Sequence, residues 1–418
     1  MNQSDSERIA RVLESIGYKS ALNINRADLI VVNMCSVRQS AVDRVYGLWP
    51  KFHELKKKNK KLKTLLTGCI LKKDFKTFKN LFDLILSIKD LPYWGTILRL
   101  RERDRISRRR SDLHPRRMKI PSKYKTNFSA LIPISNGCNN FCSYCVVPFV
   151  RGPLVCRDHK EILDEVKEVI QKGFKEIWLL GQNVNDYLSP IDSSVNFTWL
   201  LKMVNDIPGD FWIRFTSPHP KNFSEELVGI MAECDKITEY LNLPVQSGDD
   251  EILKKMNRNY RVKDYKTLVK KIREKVPNIA LSTDIIVGFP GETKKQFENT
   301  LKLFKEIKFD MAYIAQYSSR PGTAATKLKD NISGEEKERR WKVLADVLKE
   351  TALENNKKYI GKKVKVLVDK KEKDFLFGKS KQHKTLKFKG NENLIGQFVS
   401  IKITEATPWG LKGELLIC

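Results

Sequence analysis

The segment GCNNFCSYC sets Cys138, Cys142 and Cys145 in one short stretch, with three and then two residues between them. Thiolates at that spacing can wrap three corners of a cubane [4Fe–4S] cluster and leave its fourth iron open to a substrate or cofactor. Zinc is the competing reading. A structural zinc site asks for a fourth ligand at short spacing, and the next candidates, Cys156 and His159, come eleven and fourteen residues after Cys145. Cys35 and Cys69 form a second candidate pair, each just past an apolar run, DLIVVN (28–33) and KTLLT (63–67). Ligands of open α/β sheets bind beyond the carboxyl ends of strands, so both thiols are expected to converge there. Eight cysteines in 418 residues are too sparse for a disulfide scaffold and indicate a reducing compartment, the cytoplasm by default.

These thiols need elements to hold them. The first segment reads as α/β: Ser4 and Glu7 form a capping box, Ile9, Val12, Leu13 and Ile16 follow at helical spacing, and 84–88 makes a third buried strand. The chain opens on a helix, whereas a doubly wound sheet enters its first helix from a strand; something upstream of Met1 is expected to be missing. From 124 to 354, strand-like runs (129–134, 176–180, 212–215, 239–243, 279–286, 311–317) alternate with helical ones (160–171, 224–232, 265–275, 294–306). That repetition predicts a parallel sheet with crossover helices, here a barrel or partial barrel with its active site at the C-terminal mouth of the strands. The cysteine triplet follows the first of these strands. A long helix (334–359) leads into Gly-punctuated strands (362–369, 375–380, 384–388, 397–404), which fit a small β-barrel of RNA-binding type. Its aromatics Phe375, Phe377 and Trp409 suit RNA, although aromatics in so small a barrel more often fill its core.

Charge points the same way. Lys and Arg outnumber Asp and Glu by 78 to 50, a net +28, which favours a polyanionic partner, most commonly nucleic acid. A Lys-rich composition without function is the plain alternative. Nine arginines between Arg99 and Arg117 read equally as a solvated linker and as an RNA-facing strap. No apolar run is long enough to span a bilayer, and the N-terminus lacks a secretory signal pattern.

The triplet, with Tyr144 before its last cysteine, resembles the radical S-adenosylmethionine (SAM) motif. The segments VVPFVRG (146–152), LLGQNVNDY (179–187), RFTSPHP (214–220), LNLPVQSGDDEILKKMNR (241–258), STDIIVGFPGET (282–293) and YSSRPGTAA (317–325) resemble the methylthiotransferases nearly end to end. RFTSPHP and SSRPGT are most similar to the branch acting on tRNA isopentenyladenosine, the MiaB family. The resemblance implies an α/β chain: an N-terminal cluster domain lacking its first strand (1–98), the arginine-rich linker (99–123), a radical-SAM partial (β/α) barrel (124–356) and a C-terminal TRAM β-barrel (357–418).

It also implies a chemistry. Cys138, Cys142 and Cys145 would hold the cluster whose open iron chelates SAM. Gly181, Gln182 and Asn183 would approach the methionine moiety, and Gln246, Ser247, Asp284, Gly288 and Gly291 would line the SAM or adenine pocket. Each of these also has a purely structural reading, the glycines as turn or close-approach positions. Cys35 and Cys69 resemble two of three ligands of an auxiliary [4Fe–4S] cluster that binds or supplies the inserted sulfur. The family's third ligand lies in a Gly-Cys-Gln-Met-Asn-like segment, and Met1-Asn2 followed by Asp5 matches only its tail. Either the native start lies further upstream, or the chain is natively short and its cluster is labile or completed by another group. Arg151 and Arg320 are candidate anion or RNA contacts; Cys156, Cys234 and Cys418 are expected to be incidental.

One SAM would methylate sulfur on the auxiliary cluster, and a second would give the radical that removes the adenine C2 hydrogen. Implied partners are the tRNA anticodon stem-loop and a flavodoxin- or ferredoxin-like electron donor, with no membrane and a monomeric chain. The alternatives within the family are methylthiolation of threonylcarbamoyladenosine and, after it, of a ribosomal-protein aspartate. Outside it stands an RNA-binding paralogue that has lost catalysis with its third N-terminal thiol.

Overall fold

The computed structural model describes residues 1–37, 39–103 and 124–416. They pack as two units: Met1–Lys125 with Cys145–Pro153 and Arg320–Gly322, and Thr126–Tyr144 with Leu154–Ser319 and Thr323–Cys418.

In the first unit, β1 (Leu29–Cys35), β2 (Lys63–Cys69) and β3 (Leu84–Ile85) form a parallel sheet in that order. Side chains of a strand alternate between faces, and β2 feeds two cores accordingly. Leu65 packs with Ile9, Val12 and Trp94, whereas Leu66 packs with Met34, Phe52 and Phe78. Helices therefore cover both faces, as a parallel sheet requires. Both long strands run two residues beyond the expected ends, so Cys35 and Cys69 close them as register neighbours. Gly68 makes that pairing possible: at φ +96°, an added Cβ would lie 2.3 Å from the Met34 carbonyl oxygen.

The expected capping box is absent. The first helix starts at Asn2 with Met1 as its cap, and Ser4 and Glu7 are buried inside it. The Glu7 carboxylate instead accepts from the Lys125 backbone N–H at 3.1 Å, so tertiary burial outcompetes the local signal. The third strand is shorter than expected because residues from Ile88 turn into a 3₁₀ helix. The arginine-rich stretch begins inside the helix Trp94–Arg103; its remainder, 104–123, lies outside the described residues.

The second unit opens with β4 (Ser129–Pro133), then a ribbon of β5 (Ser135–Asn136) and β6 (Val155–Cys156). β4 pairs in parallel with β7 (Glu176–Leu180), and β7 with β8 (Trp212–Phe215). A second parallel set has β10 (Ala280–Val287) between β9 (Tyr240–Asn242) and β11 (Met311–Gln316). An isolated parallel bridge, Ile213↔Ile237, links β8 to the segment that leads into β9, in keeping with the partial barrel expected from the alternating pattern. Amphipathic helices such as His159–Gln171 and Lys294–Ile307 return the chain between strands.

After the helix Gly334–Lys357, a closed barrel is built from β12 (Lys363–Glu372), β13 (Phe375–Ser380), β14 (Thr385–Phe388), β15 (Phe398–Thr407) and β16 (Gly410–Leu415). Leu376, Leu386 and Phe388 fill its core. β16 was not anticipated, because GLKGEL offers only Leu411 fully buried in that core, with Leu415 packed partly buried against it and no apolar alternation between them.

The turn between β13 and β14 enters the base of the partial barrel. Arg214 donates through Nη2 to the Ser380 carbonyl at 2.7 Å and through Nη1 to the Lys381 carbonyl at 3.0 Å. Its Nε meets Glu176 Oε1 at 2.6 Å, and the other Glu176 oxygen accepts from Ser129 Oγ and Trp178 Nε1, each at 2.8 Å. The His383 ring lies among Tyr240 and Trp178, and Lys384 pairs with Asp310 at 2.6 Å. Arg214 is 1% exposed, so it tolerates its charge only because Glu176 and the two carbonyls are there. Glu176→Ala leaves that cation buried and unpaired, and denaturant unfolding is expected to show a loss of about 3–5 kcal/mol.

Candidate active site

The loop that follows β5 is strapped down at nearly every residue. Gly137, at φ +82°, donates its N–H to Gln182 Oε1 at 2.5 Å. The Phe141 carbonyl accepts from Asn257 Nδ2 at 2.8 Å. Ser143 donates through its N–H to the Met256 carbonyl at 2.9 Å and through Oγ to the Lys255 carbonyl at 2.8 Å, and its own carbonyl accepts from Ala325 N–H at 2.7 Å. Tyr144 packs against Ile252, Met256, Phe289 and Tyr317. The segment 255–258, just past the helix Asp250–Lys255, thus acts as a template for the cysteine loop.

Each of the three sulfurs accepts an N–H. Asn140 N–H reaches Cys138 Sγ at 3.4 Å, Val147 N–H reaches Cys145 Sγ at 3.5 Å, and Arg258 Nη1 reaches Cys142 Sγ at 3.6 Å. Burial pushes the Cys138 thiol above its ordinary pKa, and the Asn140 N–H opposes that shift. Such donors stabilise sulfur in its anionic form, which is the form that binds iron. The set fits an iron–sulfur cubane, in which each thiolate binds a different iron and no convergence on one point is needed. Among the described residues, no three His, Cys, Asp or Glu side chains gather as a single-ion site.

Beside this loop lies the end of β7. A Cβ at Gly181 would come within 2.6 Å of Ser135 Oγ, so glycine lets the two strand ends approach. With Gln182 Oε1 committed to Gly137, Gln182 Nε2, both amide atoms of Asn183 and Ser135 Oγ are buried without a hydrogen-bond partner. Asn183 is 2% exposed. Buried amides are almost always satisfied in a finished structure, so these atoms are available to a polar ligand such as the amino acid end of SAM.

The later strand ends divide. Gln246, at φ +71°, continues the ladder beside β10, donating to the Asp284 carbonyl at 2.9 Å and accepting from Ile286 N–H at 3.1 Å; Gln246 and Asp284 are thus neighbours. Ser247 is fully buried, and its Oγ accepts from Asp249 N–H at 3.3 Å. Gly288 (φ +69°) donates to Glu292 Oε2 at 2.7 Å, and Gly291 (φ +76°) to Asn331 Oδ1 at 3.0 Å. Both glycines shape the turn that buries the Glu292–Arg340 ion pair, 2.7 Å apart.

Within the first unit, Arg151 donates from Nε to Cys69 Sγ at 3.2 Å and from Nη2 to Asp5 Oδ2 at 2.7 Å and Asn2 Oδ1 at 3.0 Å. It is 4% exposed, so the expected anion or RNA contact gives way to a buried clamp on Cys69. Burial raises the Cys69 pKa and Arg151 pulls it back. Arg320 is equally buried and donates to Gln39 Oε1 at 2.7 Å, which likewise removes it from an RNA-facing role. Cys156 closes β6 opposite Ser135, Cys234 is buried at a helix end, and Cys418 lies outside the described residues.

Arg258 and His219 escaped sequence reasoning. His219 ties RFTSPHP to GQNVND through reciprocal bonds with Asn185, 2.8 and 2.9 Å. Burial, aided by Arg258 and Lys221, lowers its pKa from 6.5 to about 3. The unfolded chain therefore takes up a proton near pH 6.5 that the fold refuses until about pH 3, so stability falls as pH drops through that window. His219→Gln is expected to flatten this part of the stability–pH curve, read by urea unfolding across the window; an unchanged slope contradicts the assignment.

Comparison with known proteins locates this arrangement. The Radical SAM superfamily model matches residues 132–304, Uncharacterized protein family UPF0004 matches 1–87 and the TRAM domain matches 357–416. A tRNA-2-methylthio-N(6)-dimethylallyladenosine synthase of Clostridium novyi is 41% identical over 429 residues, covering 100% of this chain and 94% of that protein. One from Thermoanaerobacter sp. is 39% identical, covering 100% and 90%. Among solved structures, the radical SAM methyltransferase TsrM of Kitasatospora setae aligns with TM-score 0.56 at 16% identity, over 77% of this chain and 70% of that one. The cobalamin-dependent SAM radical enzyme OxsB aligns with TM-score 0.52 at 12% identity, over 84% and 53%; these two likenesses concern the fold. With its cysteine loop, its strand-end amides and this full-length identity, the chain belongs to the tRNA-2-methylthio-N(6)-dimethylallyladenosine synthase family of radical-SAM methylthiotransferases.

Proposed function

We propose that the protein methylthiolates C2 of isopentenyladenosine beside the anticodon of tRNA. The observation that carries this reading is the triplet Cys138, Cys142 and Cys145, each with its N–H donor, in a chain related end to end to synthases of that product. When bound, the cluster and SAM supply a carbon-centred radical, which an adenine C2–H bond calls for because no side-chain base removes that proton near neutral pH.

The residues divide the remaining work. Cys138, Cys142 and Cys145 hold the cluster, and Gln182 and Asn183 offer the unpartnered amides that orient SAM. Gly181, Gln246, Ser247, Asp284, Gly288 and Gly291 shape the rest of the mouth. Cys35 and Cys69 hold two corners of a second cluster, with Arg151 supplying a cation to Cys69. A flavodoxin- or ferredoxin-like protein delivers electrons to a monomeric, cytoplasmic enzyme; no helix among the described residues is long and apolar enough to cross a membrane.

RNA binding rests on the +28 charge and on the outer surface of the small barrel. Lys370, Phe377, Lys387 and Lys412 are register partners across β12, β13, β14 and β16. Lys387 Nζ lies 3.9 Å from the Phe375 ring centre, and Lys370 Nζ lies 5.4 Å from that of Phe377. Contrary to the usual pattern for aromatics in so small a barrel, both phenylalanines are only half-buried, while their neighbour Leu376 occupies the core. A row of aromatics flanked by lysines suits base stacking and phosphate contact.

In tRNA from a deletion strain, nucleoside mass spectrometry is expected to show isopentenyladenosine without its 2-methylthio derivative, restored by the native gene and not by Cys142→Ala. Persistence of 2-methylthio-isopentenyladenosine overturns the reading, and loss of the threonylcarbamoyl product instead moves the enzyme to the sister branch. Anaerobically purified protein is expected to hold about eight irons per chain, falling to about four in Cys35→Ala/Cys69→Ala. About four in the native protein confines the cluster chemistry to the barrel.

A further inference from the structure

Among the described residues five arginines are buried with defined side-chain bonds, and three of them meet carboxylates. Arg214 pairs with Glu176 at 2.6 Å, Arg340 with Glu292 at 2.7 Å and Arg151 with Asp5 at 2.7 Å. Arg320 donates to Gln39 Oε1 at 2.7 Å, and Arg258 is held by no carboxylate. Arg258 is 7% exposed, and its bonds run from Nη2 to the Pro244 carbonyl at 3.0 Å, from Nε to Tyr260 Oη at 3.0 Å and from Nη1 to Cys142 Sγ at 3.6 Å. Among the described residues, none of these partners is a carboxylate. A guanidinium cannot shed its proton to escape burial, and a buried cation without an anion costs several kcal/mol. Of these partners, Tyr260 keeps its proton on the Val245 carbonyl, and the Cys142 sulfur is the one that would carry negative charge as an iron ligand.

We infer that Arg258 is a positioning residue that compensates the charge of the Cys142-ligated cluster corner and thereby raises the reduction potential of the barrel cluster. The inference rests on the reading of Cys138, Cys142 and Cys145 as cluster ligands. The other two sulfurs take backbone N–H groups from residues two positions on, dipoles that any loop of this shape supplies. Cys142 receives a full charge, from a residue 116 positions away in sequence. Adding an electron makes a cluster more negative, so a nearby cation and an N–H···S bond favour the reduced form. The same guanidinium fixes geometry. Tyr260 Oη, which accepts from Arg258, lies 2.9 Å from the Val245 carbonyl and donates to it, so the loop sulfur is tied to the backbone one residue before Gln246.

The test is an EPR-monitored redox titration of anaerobically loaded holoenzyme in a Cys35→Ala/Cys69→Ala background, where only the barrel cluster reports. Arg258→Gln is expected to retain its iron and shift the midpoint to more negative potential, with Arg258→Lys between it and the parent. A loaded variant with the parent midpoint overturns the inference. Where the Gln variant fails to fold, the Lys variant decides by the same criterion. A measurement on the parent itself needs no substitution: with 15N-labelled arginine, the reduced cluster is expected to show a 15N hyperfine coupling, and its absence overturns the inference. A parent protein that binds no iron overturns the underlying cluster reading instead, so the two failures are distinguishable.

Discussion

Sulfur anions held inside a protein must be compensated, and that requirement organises the chemistry-bearing parts of this chain. Cys138 and Cys145 rely on backbone N–H groups of their own loop, whereas Cys142 and Cys69 rely on buried arginines recruited from distant sequence. A backbone donor needs only the right loop conformation. An arginine needs a whole scaffold to hold it, and the segment 255–258 that carries Arg258 is bonded at residue after residue to the cysteine loop. Much of what looks like ordinary packing near the cysteines is the apparatus that keeps those cations in place.

The strand-end residues differ in how far their polar atoms are already used. Asn183 is buried with both amide atoms left over, and the Nε2 of half-buried Gln182 is buried beside it without a partner. Gly288 and Gly291 are spoken for by a turn, Ser247 by the Asp249 backbone. Burial is common to both groups; only the hydrogen-bond inventory separates them.

How far the chain could be read in advance follows from the range of the interactions concerned. β7 and β8 and the helix Lys294–Ile307 were visible because apolar periodicity is local, and the cysteine triplet because its spacing is too. The Ser4–Glu7 box misled, since Glu7 finds its partner at Lys125. β16 was missed because a closed barrel can hold a strand with one fully buried residue when its neighbours supply the ladder. Arg151 and Arg258 could be noticed as residues but not understood, for their partners are 82 and 116 positions away. Family resemblance named the cofactors; it did not say which cation faces which sulfur.

The turn Ser380–Lys384 bears on how such enzymes can diversify. By docking under Glu176, Trp178, Arg214 and Tyr240, it makes the terminal module a stopper for the catalytic scaffold as well as an appendage. A cassette-style exchange of that module for another RNA reader would uncork the scaffold unless the newcomer brought a matching plug. Substrate preference can therefore drift readily on the module's outer strands, while its inward hairpin is held to the shape of its socket.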